Sequence, residues 1–355
     1  MIRRSLFFSA LAVISLGGLA TAQAPFVERD VMFESGTARL AGTLIVPEAD
    51  GPVPAIVFLH GSGPMTRAGF RSYAEEYAGM GVASLAYDKR GAGESVGESG
   101  SPFDDYSDDA AAAIEFLRSQ PEIDSDRVGF WGISQAGWIG PMAAVKTPGV
   151  AFMIMVSGGG ASPKASELFS WAREFEGAGL DEAQSEVAMG VIRDYYEYLA
   201  TGEGRPRLVA RIDSIRAGTI RGLHMLPREA LGEFADALTR ILPTEARWSD
   251  YSALATYDPA TDIATLNIPL LLLFGDRDTD HPTDQAIDGW REGLDRAGND
   301  GATIVVFPGA GHGIRMADGW RGEGRAPFAD GYRDVMAGWL WRHVVAVDAA
   351  EKGAN

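Results

Sequence analysis

The chain has 355 residues, of which 46% are hydrophobic and 23% charged, and it contains no cysteine. A chain of this length can bury a substantial core without disulfides or metal ions, and the lack of cysteine excludes disulfides, thiolate metal sites and a cysteine nucleophile. The formal charge of −18 repels phosphate backbones and anionic lipid surfaces, so we expect neither nucleic acid nor a membrane among the partners.

Residues 1–22 have the organisation of a secretory signal peptide. Two arginines precede an apolar stretch over residues 6–19, and small residues in a small-x-small pattern follow it. We expect cleavage after Ala22, because cleavage after Ala24 would leave Pro25 at the new terminus. The apolar stretch is too short to span a bilayer comfortably. The segment therefore predicts a secreted or periplasmic protein.

Strands and helices alternate along the first half of the chain. Residues 31–34 and 39–47 are predicted to form an antiparallel hairpin. Residues 54–59 are a short apolar run, typical of a strand buried on both faces of a parallel sheet. The next predicted elements are helix 70–80, strand 82–87, helix 104–118, strand 127–131, helix 135–146 and strand 150–156. This alternation predicts an α/β fold with a mostly parallel, doubly wound sheet.

The alternation stops at three glycines, residues 158–160, which we expect to act as a hinge. Residues 161–256 are rich in Glu, Arg, Tyr and Trp and predict helices without a buried strand. The later predicted elements are strand 268–274, helix 283–297, strand 302–307 and helix 328–343. We therefore predict one core, residues 23–160 and 257–350, interrupted by a helical cap at 161–256.

The segment GISQAG at residues 132–137 lies between a predicted strand and a predicted helix. A serine on such a tight turn projects its hydroxyl beyond the sheet, and small residues two positions before and after it let strand and helix approach closely. Gly132 and Ala136 meet that need, although Ala136 replaces the usual glycine. The helix N-terminus also stabilises negative charge nearby. We predict Ser134 as a nucleophile; the structural alternative is a serine that only caps the helix.

The segment LHGSGP at residues 59–64 follows the first predicted parallel strand. A glycine-rich turn there can present a backbone N–H toward the nucleophile, and a second N–H comes from the residue after it. We predict Ser62 and Gln135 as the oxyanion-hole donors, with Gly63 as an alternative to Ser62. His60 is predicted to support the loop by hydrogen bonding rather than to act as the base.

The segment FGDRD follows the leucine-rich predicted strand and places aspartates at the carboxyl end of the sheet, where such folds locate their sites. Asp278 is the first candidate for the acid of a catalytic triad, and Asp276 and Asp280 are alternatives. The run also resembles the start of a calcium loop. Its sixth and twelfth positions are His281 and Ile287 rather than Gly and Glu, which excludes an EF-hand. We expect His281 to line the site.

The segment GAGHG at residues 309–313 follows the last predicted strand. Its glycines let a loop swing an imidazole back over the edge of the sheet, so we predict His312 as the general base. Two other histidines, His224 and His343, have no motif around them, and we expect both to be structural.

The three candidates occur in the order Ser134, Asp278, His312, which is the order of α/β-hydrolases. With the motifs above, it makes the sequence resemble the α/β-hydrolase superfamily, particularly its serine esterase, S33/S9-type aminopeptidase and acyl-transfer branches. The segment YDKRGAGES also resembles the loop after the fourth strand of that family. In this loop we expect Asp88 and Arg90 to form ion pairs or turn contacts.

The resemblance implies a serine hydrolase whose helical insertion caps the site. We expect hydrolysis of carboxylic esters through an acyl-enzyme on Ser134, with His312 moving the proton, Asp278 holding the imidazole, and no metal or organic cofactor. A hydrolase of short peptides or amides is the first alternative, and a non-enzymatic binding protein on this scaffold the second. We expect most apolar residues of the cap only to pack its own helices, and those that point down toward Ser134 to bind the acyl group or the leaving group. The candidates are Phe169, Trp171, Phe175, Met189, Tyr195, Tyr196, Tyr198, Met225, Phe234 and Trp248.

Overall fold

The structure is a computed structural model that describes residues 25–98, 103–223, 225–316 and 326–346. The predicted signal peptide at residues 1–22 and His224 lie outside these ranges, so both interpretations stay predictions.

The strands of the described residues form one sheet. They are β1 (Phe26–Ser35), β2 (Ala38–Pro47), β3 (Val53–Leu59), β4 (Ala83–Tyr87), β5 (Ile123–Ile133), β6 (Met153–Val156), β7 (Leu270–Gly275) and β8 (Ala302–Phe307). Their order across the sheet is β1-β2-β4-β3-β5-β6-β7-β8. Strand β2 runs antiparallel to β1 and β4, and every other neighbouring pair is parallel. The predicted mostly parallel α/β-hydrolase sheet is confirmed.

The α-helices connect these strands and fill the long insertion. They are α1 (Arg71–Ala78), α2 (Asp104–Arg118), α3 (Ala136–Lys146), α4 (Pro163–Gly177), α5 (Glu182–Thr201), α6 (Arg205–Arg216), α7 (Arg228–Ile241), α8 (Trp248–Tyr251), α9 (Ala253–Thr256), α10 (Pro259–Ile263), α11 (Thr283–Ala297) and α12 (Tyr332–Leu340). Short 3-10 helices occupy Arg67–Phe70, Glu245–Arg247 and His312–Ile314, and a π-helix, Trp341–Val345, continues α12. The predicted bounds of α2, α11 and β8 are confirmed.

The central strand β3 shows how the sheet is covered on both faces, since all seven of its residues are buried. Ala55, Val57 and Leu59 belong to the apolar cluster that includes residues of α2, α3 and α11. Ile56 and Phe58 belong to the opposite cluster, with residues of α1 and α12. Burial of one large apolar side chain contributes roughly 1.5–3 kcal/mol, so both layers of helices are needed to stabilise this strand.

Between β6 and β7 the described chain is helical. We call α4 to α9 the cap helices. Helix α4 begins after Ser162, whose side chain accepts the N–H of Ala165, with Pro163 in the first turn, a favourable combination at a helix N-terminus. Helix α5 begins with a capping box formed by Asp181 and Gln184. In the described parts of the chain, no helix combines the length and apolarity needed to cross a bilayer.

The cap helices have an apolar core of their own, apart from the two clusters at the sheet. Its buried members are Phe175, Ala188, Val191, Ile192, Tyr195, Tyr196, Tyr198, Leu199, Leu208, Ile212, Ile215, Leu223, Leu231, Ala235 and Leu238. By contrast, Ile263 on α10 packs with the cluster at the sheet. The helical insertion is therefore stabilised largely by contacts among its own helices.

Candidate active site

Ser134 occupies the sharp turn between β5 and α3. Its φ is +57°, a conformation that costs a non-glycine residue about 1–3 kcal/mol and that occurs mostly at functional sites. The Ser134 N–H donates to the Val156 carbonyl at 2.9 Å, and its carbonyl accepts the N–H of Gly137 at 2.8 Å. A Cβ at Gly132 would lie 2.5 Å from the Cβ of Ala136. The turn therefore requires the small residues that the motif supplies.

Three glycines after β6 pack closely against the turn of Ser134, the start of α3 and helix α11. A Cβ on Gly158 would lie 2.0 Å from the Ser134 carbonyl oxygen, and one on Gly160 would lie 2.0 Å from the carbonyl oxygen of Ala286 on α11. Real Cβ atoms do not approach backbone atoms so closely, so this packing requires glycine. The hinge that we predicted at these glycines stays a prediction.

Asp278 and His312 are hydrogen-bonded to each other. The Nδ1 atom of His312 lies 2.9 Å from Oδ2 and 3.1 Å from Oδ1 of Asp278. The backbone N–H groups of Asp280 and His281 both donate to Asp278 Oδ1 at 2.9 Å. The carboxylate is thus fixed in place, and with Nδ1–H donating to it, Nε2 of His312 is left as the basic nitrogen.

The two other aspartates of this loop have different positions. Asp276 accepts the N–H of Gly309 at 2.6 Å, so it connects the acid loop to the loop that carries His312. Asp280 lines the cavity at Ser134. Asp278, Asp280 and His312 offer possible metal-ligand atoms within 4.8 Å of one another. Because two of the three are hydrogen-bonded to each other, we assign this cluster to acid–base chemistry.

Burial and mutual charge set the protonation of this pair. Burial disfavours the imidazolium of His312, but the negative charge of Asp278 and the hydrogen bond to it outweigh burial and raise the pKa of His312 above its ordinary value. Burial also disfavours the carboxylate of Asp278, but the charge of His312 and the hydrogen bonds lower its pKa overall. The imidazole is therefore a stronger base than an isolated histidine.

Ser134 and His312 meet at a cavity of about 280 Å³. Its lining residues are Gly61, Ser62, Met65, Ile133, Ser134, Trp138, Ser166, Glu167, Ser170, Asp280, His281 and His312. Among the described residues, no hydrogen bond joins the Ser134 hydroxyl to His312. A larger cavity of about 690 Å³ lies between α4 and α7. It is lined by none of the three triad candidates, so the chemistry locates the candidate site in the smaller cavity.

The loop after β3 approaches Ser134 from the side. A Cβ on Gly61 would lie 3.5 Å from the Cβ of Ser134, and Ser62 lines the cavity. Gln135 follows Ser134 and precedes α3. Within the described chain, no hydrogen bond occupies the backbone N–H of Ser62, Gly63 or Gln135. These N–H groups are thus available to a ligand, and Gly63 stays an alternative to Ser62.

His60 and His343 lie away from the cavity. The Nε2 atom of His60 lies 2.5 Å from the Tyr87 carbonyl oxygen, and burial lowers the pKa of His60 to about 4. A neutral His60 therefore donates to the end of β4 and supports the loop, as we predicted. His343 stacks on Trp339 at the C-terminal π-helix, with ring centroids 4.8 Å apart.

His281 lines the cavity, as we predicted, and also joins the cap helices to the sheet. Its Nε2 atom lies 2.9 Å from the Gly159 carbonyl oxygen, and its Nδ1 atom lies 2.6 Å from the hydroxyl of Ser166 on α4. Burial lowers the pKa of His281 to about 4. The neutral ring therefore donates to Gly159 and accepts from Ser166. The sequence does not indicate this link, because the residues that form it come from three separate segments.

The wall that the cap helices contribute to the cavity is polar. Ser166, Glu167 and Ser170, all on α4, form it, and no aromatic residue of the described cap helices lines the cavity. Most of the aromatic candidates pack in the core of the cap helices, as we expected. Phe169 instead lines a separate cavity with Asp276 and Asp278, and Met225 is 77% exposed. The further expectation that some apolar cap residues point into the cavity and bind the acyl or leaving group is wrong, because the apolar faces of the cap helices pack largely against one another.

Two carboxylates, Glu167 and Asp280, line the polar side of the cavity. Burial and the negative charge of Asp280 raise the pKa of Glu167 to about 6. A carboxylate in this position had no motif around it in the sequence.

The buried Ser157 was also missed: its φ is +50°, and its hydroxyl accepts the N–H of Gly313, next to His312, at 3.1 Å.

The loop after β4 has the ion pairs that we predicted. Arg67 contacts Asp88 at 2.6 Å, and Arg90 contacts Asp109 of α2 at 2.6 Å. Both contacts are largely buried. They fix this loop beside the loop that carries Ser62.

Comparisons with known proteins identify the family of the chain. The X-Pro dipeptidyl-peptidase (S15) family matches residues 35–310. The quorum-quenching protein AidA of Acinetobacter baumannii is 36% identical over 117 residues, which cover 32% of this chain and 38% of that protein. The esterase EstD of Thermotoga maritima is 24% identical over 304 residues, which cover 83% of this chain and 61% of that protein. The chain spans roughly a third of the length of the curated relatives it matches most strongly.

Solved structures share the fold at low sequence identity. An esterase of Pyrococcus furiosus superimposes with a TM-score of 0.57 at 17% identity, over 90% of this chain and 92% of that chain. An acylaminoacyl peptidase of Pyrococcus horikoshii superimposes with a TM-score of 0.51 at 20% identity, over 81% of this chain and 38% of that chain. Because the family match covers most of the sequence, the chain belongs to the X-Pro dipeptidyl-peptidase (S15) family. Its fold is that of the α/β-hydrolases.

Proposed function

We propose that this protein hydrolyses small carboxylic esters through an acyl-enzyme on Ser134. The observation that carries the proposal is the fixed Asp278–His312 pair at the same cavity as the strained turn of Ser134. A nucleophile, a base and an orienting carboxylate in this arrangement are the components of acyl transfer.

The proposed reaction has two halves. The Ser134 hydroxyl attacks the ester carbonyl carbon while His312 Nε2 takes its proton, and the N–H groups of Ser62 and Gln135 stabilise the oxyanion. The tetrahedral intermediate collapses, the C–O bond to the alcohol breaks, and His312 protonates the leaving alcohol. Water then attacks the acyl-enzyme with His312 as base, and the acid and free Ser134 are released. Asp278 holds the imidazole throughout.

The size of the cavity favours a small substrate. Its volume of about 280 Å³ lies just below the roughly 300–1,000 Å³ typical of small-molecule sites. Its apolar wall comes from Met65, Ile133 and Trp138 rather than from the cap helices. We therefore propose a short acyl group. The similarity to a protein named as an esterase also supports ester hydrolysis.

A fluorophosphonate probe and a series of p-nitrophenyl esters of increasing acyl length test the proposal. We expect Ser134→Ala to abolish labelling and turnover. The matched control is Ser170→Ala, which removes a hydroxyl from the same cavity and should keep the labelling. Undiminished labelling of Ser134→Ala would exclude Ser134 as the nucleophile, and turnover that rises steadily to long acyl chains would contradict the small substrate.

Hydrolysis of short peptides or amides is the second candidate, and Glu167 favours it. Glu167 and Asp280 line the cavity together, and a substrate ammonium would relieve the repulsion between their carboxylates. The family match agrees with this candidate. Comparison of acyl esters with aminoacyl amides on the purified protein separates the two. Higher kcat/KM on the amides, lost in Glu167→Gln, would replace ester hydrolysis as the proposed function.

We also propose that the protein is exported and cleaved after Ala22. The arginines, the apolar stretch and the small residues within residues 1–22 support this proposal. Mass spectrometry of the N-terminal peptide from the exported fraction of expressing cells tests it. We expect a mature chain that begins at Gln23, and an intact N-terminus in the cytoplasmic fraction would contradict it.

A further inference from the structure

Lys89 is a buried cation that the proposed mechanism does not use. It follows β4 in the segment YDKRGAGES and is only 5% exposed. Its neighbours Asp88 and Arg90 form ion pairs, but none of the ion pairs among the described residues includes Lys89. Burial of a lysine without a carboxylate partner is unfavourable, so its hydrogen bonds have to explain its position.

Those hydrogen bonds go to the two segments that carry the proposed oxyanion-hole donors. The Nζ atom of Lys89 donates to the carbonyl oxygen of Gly61 at 2.8 Å and to Oε1 of Gln135 at 2.7 Å. It also lies 4.2 Å from the centre of the Tyr106 ring, as in a cation–π contact. One ammonium group therefore links the loop after β3 to the turn before α3.

The hydrogen bond from Lys89 to the Gly61 carbonyl controls the direction of the Ser62 N–H, because that carbonyl and that N–H belong to one peptide unit. In a trans peptide the C=O and N–H bonds point in opposite directions, and the described residues contain no cis peptide bond. Ser62 lines the cavity with Ser134, whereas Lys89 does not. An ammonium that holds the carbonyl oxygen on the buried side therefore keeps the N–H directed toward the cavity.

We propose that Lys89 is the positioning residue of the oxyanion hole. It fixes the Gly61–Ser62 peptide and the Gln135 side chain relative to each other, and it polarises the peptide so that the Ser62 N–H becomes a stronger donor. Charge-assisted hydrogen bonds in a buried site are strong enough for both effects. This inference rests on the proposed function, since it concerns the donors of the same site.

The surroundings of Lys89 make its positioning of the oxyanion hole depend on pH. The charged and titratable groups His60, Tyr87, Tyr106 and Asp109 line a void of about 10 Å³ together with Lys89. Burial lowers the pKa of Lys89 to about 7, and the charge of Asp109 opposes that effect only in part.

Two of the groups around Lys89 do not change charge near pH 7. Burial lowers the pKa of His60 to about 4 and raises that of Tyr87, so both are neutral. Burial also raises the pKa of Asp109, while the ion pair with Arg90 favours its carboxylate. Above pH 7 the neutral amine of Lys89 is a weaker donor, so kcat should fall there. At lower pH, deprotonation of the His312 imidazolium makes kcat rise with pH, which gives the acidic limb of the kcat–pH profile.

The first test is Lys89→Met, which keeps an unbranched side chain as far as Cε but removes Nζ. In p-nitrophenyl acetate hydrolysis we expect kcat to fall about ten- to hundredfold with KM nearly unchanged, because loss of one oxyanion donor costs roughly 10²–10³ in kcat and loss of its positioning costs less. The alkaline limb near pH 7 should also disappear. The matched control is Lys146→Met, which removes a surface lysine paired with Asp108 and should leave kcat and the limb unchanged.

The second test is Lys89→Arg, which keeps the charge at every accessible pH. We expect it to recover part of the kcat lost in Lys89→Met and to move the alkaline limb upward. Circular dichroism shows whether Lys89→Met folds. If it does not, the pH dependence of kcat in Lys89→Arg tests the role of Lys89 instead. A Met variant with wild-type kcat, or an Arg variant with an unmoved limb, would overturn the role of Lys89.

Failure of this inference can be distinguished from failure of ester hydrolysis. Absence of turnover by the wild-type chain would count against the proposed function. The rate of Ser134 labelling by a fluorophosphonate, whose phosphonyl oxygen occupies the same hole, reports on Lys89 without any ester. We expect slower labelling of Lys89→Met than of Lys146→Met, and equal rates would overturn the inference.

Discussion

The two walls of the candidate site are built in different ways. The sheet contributes Ser134, Asp278 and His312 from loops at the carboxyl ends of β5, β7 and β8, each fixed by backbone hydrogen bonds or close glycine packing. The cap helices contribute one polar face of α4, while their aromatic residues pack elsewhere. In the proposed function, the sheet side would thus supply the reacting groups and the apolar wall, and α4 the polar wall that a substrate meets.

The largest effect should come from the aspartate that holds the base. We expect Asp278→Asn to lower kcat about 10⁴-fold, because an amide in its place stabilises the wrong tautomer of His312. The matched control is Asp276→Asn, which keeps an oxygen that can accept the Gly309 N–H and loses no contact to His312, so it should cost far less. Steady-state ester hydrolysis measures both, and equal losses would show that the loop, rather than the acid, limits the reaction.

A glycine on the sheet side should tolerate a methyl group less well than a glycine in the cap helices. In Gly158→Ala the new Cβ overlaps the Ser134 carbonyl oxygen, so we expect a loss of stability of at least about 1–3 kcal/mol. In Gly232→Ala on α7 the Cβ meets nothing within 4 Å, and we expect a gain of up to about 1 kcal/mol. Urea denaturation compares the two variants. Equal effects would contradict the difference in packing between the walls.

The charge of Glu167 on α4 should affect KM more than kcat. We expect Glu167→Gln to raise KM for a substrate with an ammonium group by roughly tenfold, and to leave kcat for neutral esters nearly unchanged. In the wild type, that KM should rise as the pH falls through about 6, because Glu167 becomes protonated. Glu197→Gln on α5 is the control, and a KM without pH dependence in the wild type would contradict the prediction.

The same substitution should also change stability. The pKa of Glu167 is raised in the folded protein to about 6. Between this value and the lower pKa of Glu167 in the unfolded chain, the folded state binds more protons than the unfolded state. The free energy of unfolding therefore falls as the pH rises through this interval. Glu167→Gln should therefore be more stable than the wild type at pH 8, by about 1 kcal/mol. The gain should vanish at pH 4, and a variant without this difference would exclude the raised pKa.

The smallest effect on kcat should come from the contact between α4 and the sheet. Ser166→Ala removes the hydroxyl that lies 2.6 Å from His281 Nδ1 and leaves that buried nitrogen unpaired. We expect a loss of about 1–3 kcal/mol in stability with only a few-fold change in kcat. The control is Ser170→Ala, whose contact with Asp280 is 3.5 Å long. Thermal unfolding compares them, and equal losses would show that His281 does not stabilise the position of α4.

Local patterns were enough to predict most of the sheet and its loops. The apolar run of β3 and the small residues around Ser134 leave few alternatives, because a buried strand and a tight turn each restrict the residue types they accept. The bounds of β5 were less accessible, since it begins at Ile123, four residues before the predicted start. Ile123 pairs with Val53, and the polar segment between Ile123 and the predicted start hides that pairing.

What the sequence by itself determined is the order of the elements, the fold family and the three triad candidates, because each depends on neighbouring residues. Only the tertiary structure decided the polar wall formed by Ser166, Glu167 and Ser170, because the side of α4 that faces the cavity is set by how the cap helices pack. The link from Lys89 to Gln135 joins residues 46 positions apart in sequence. A hydrogen bond of that kind depends on two loops meeting at one edge of the sheet, and no local pattern records where they meet.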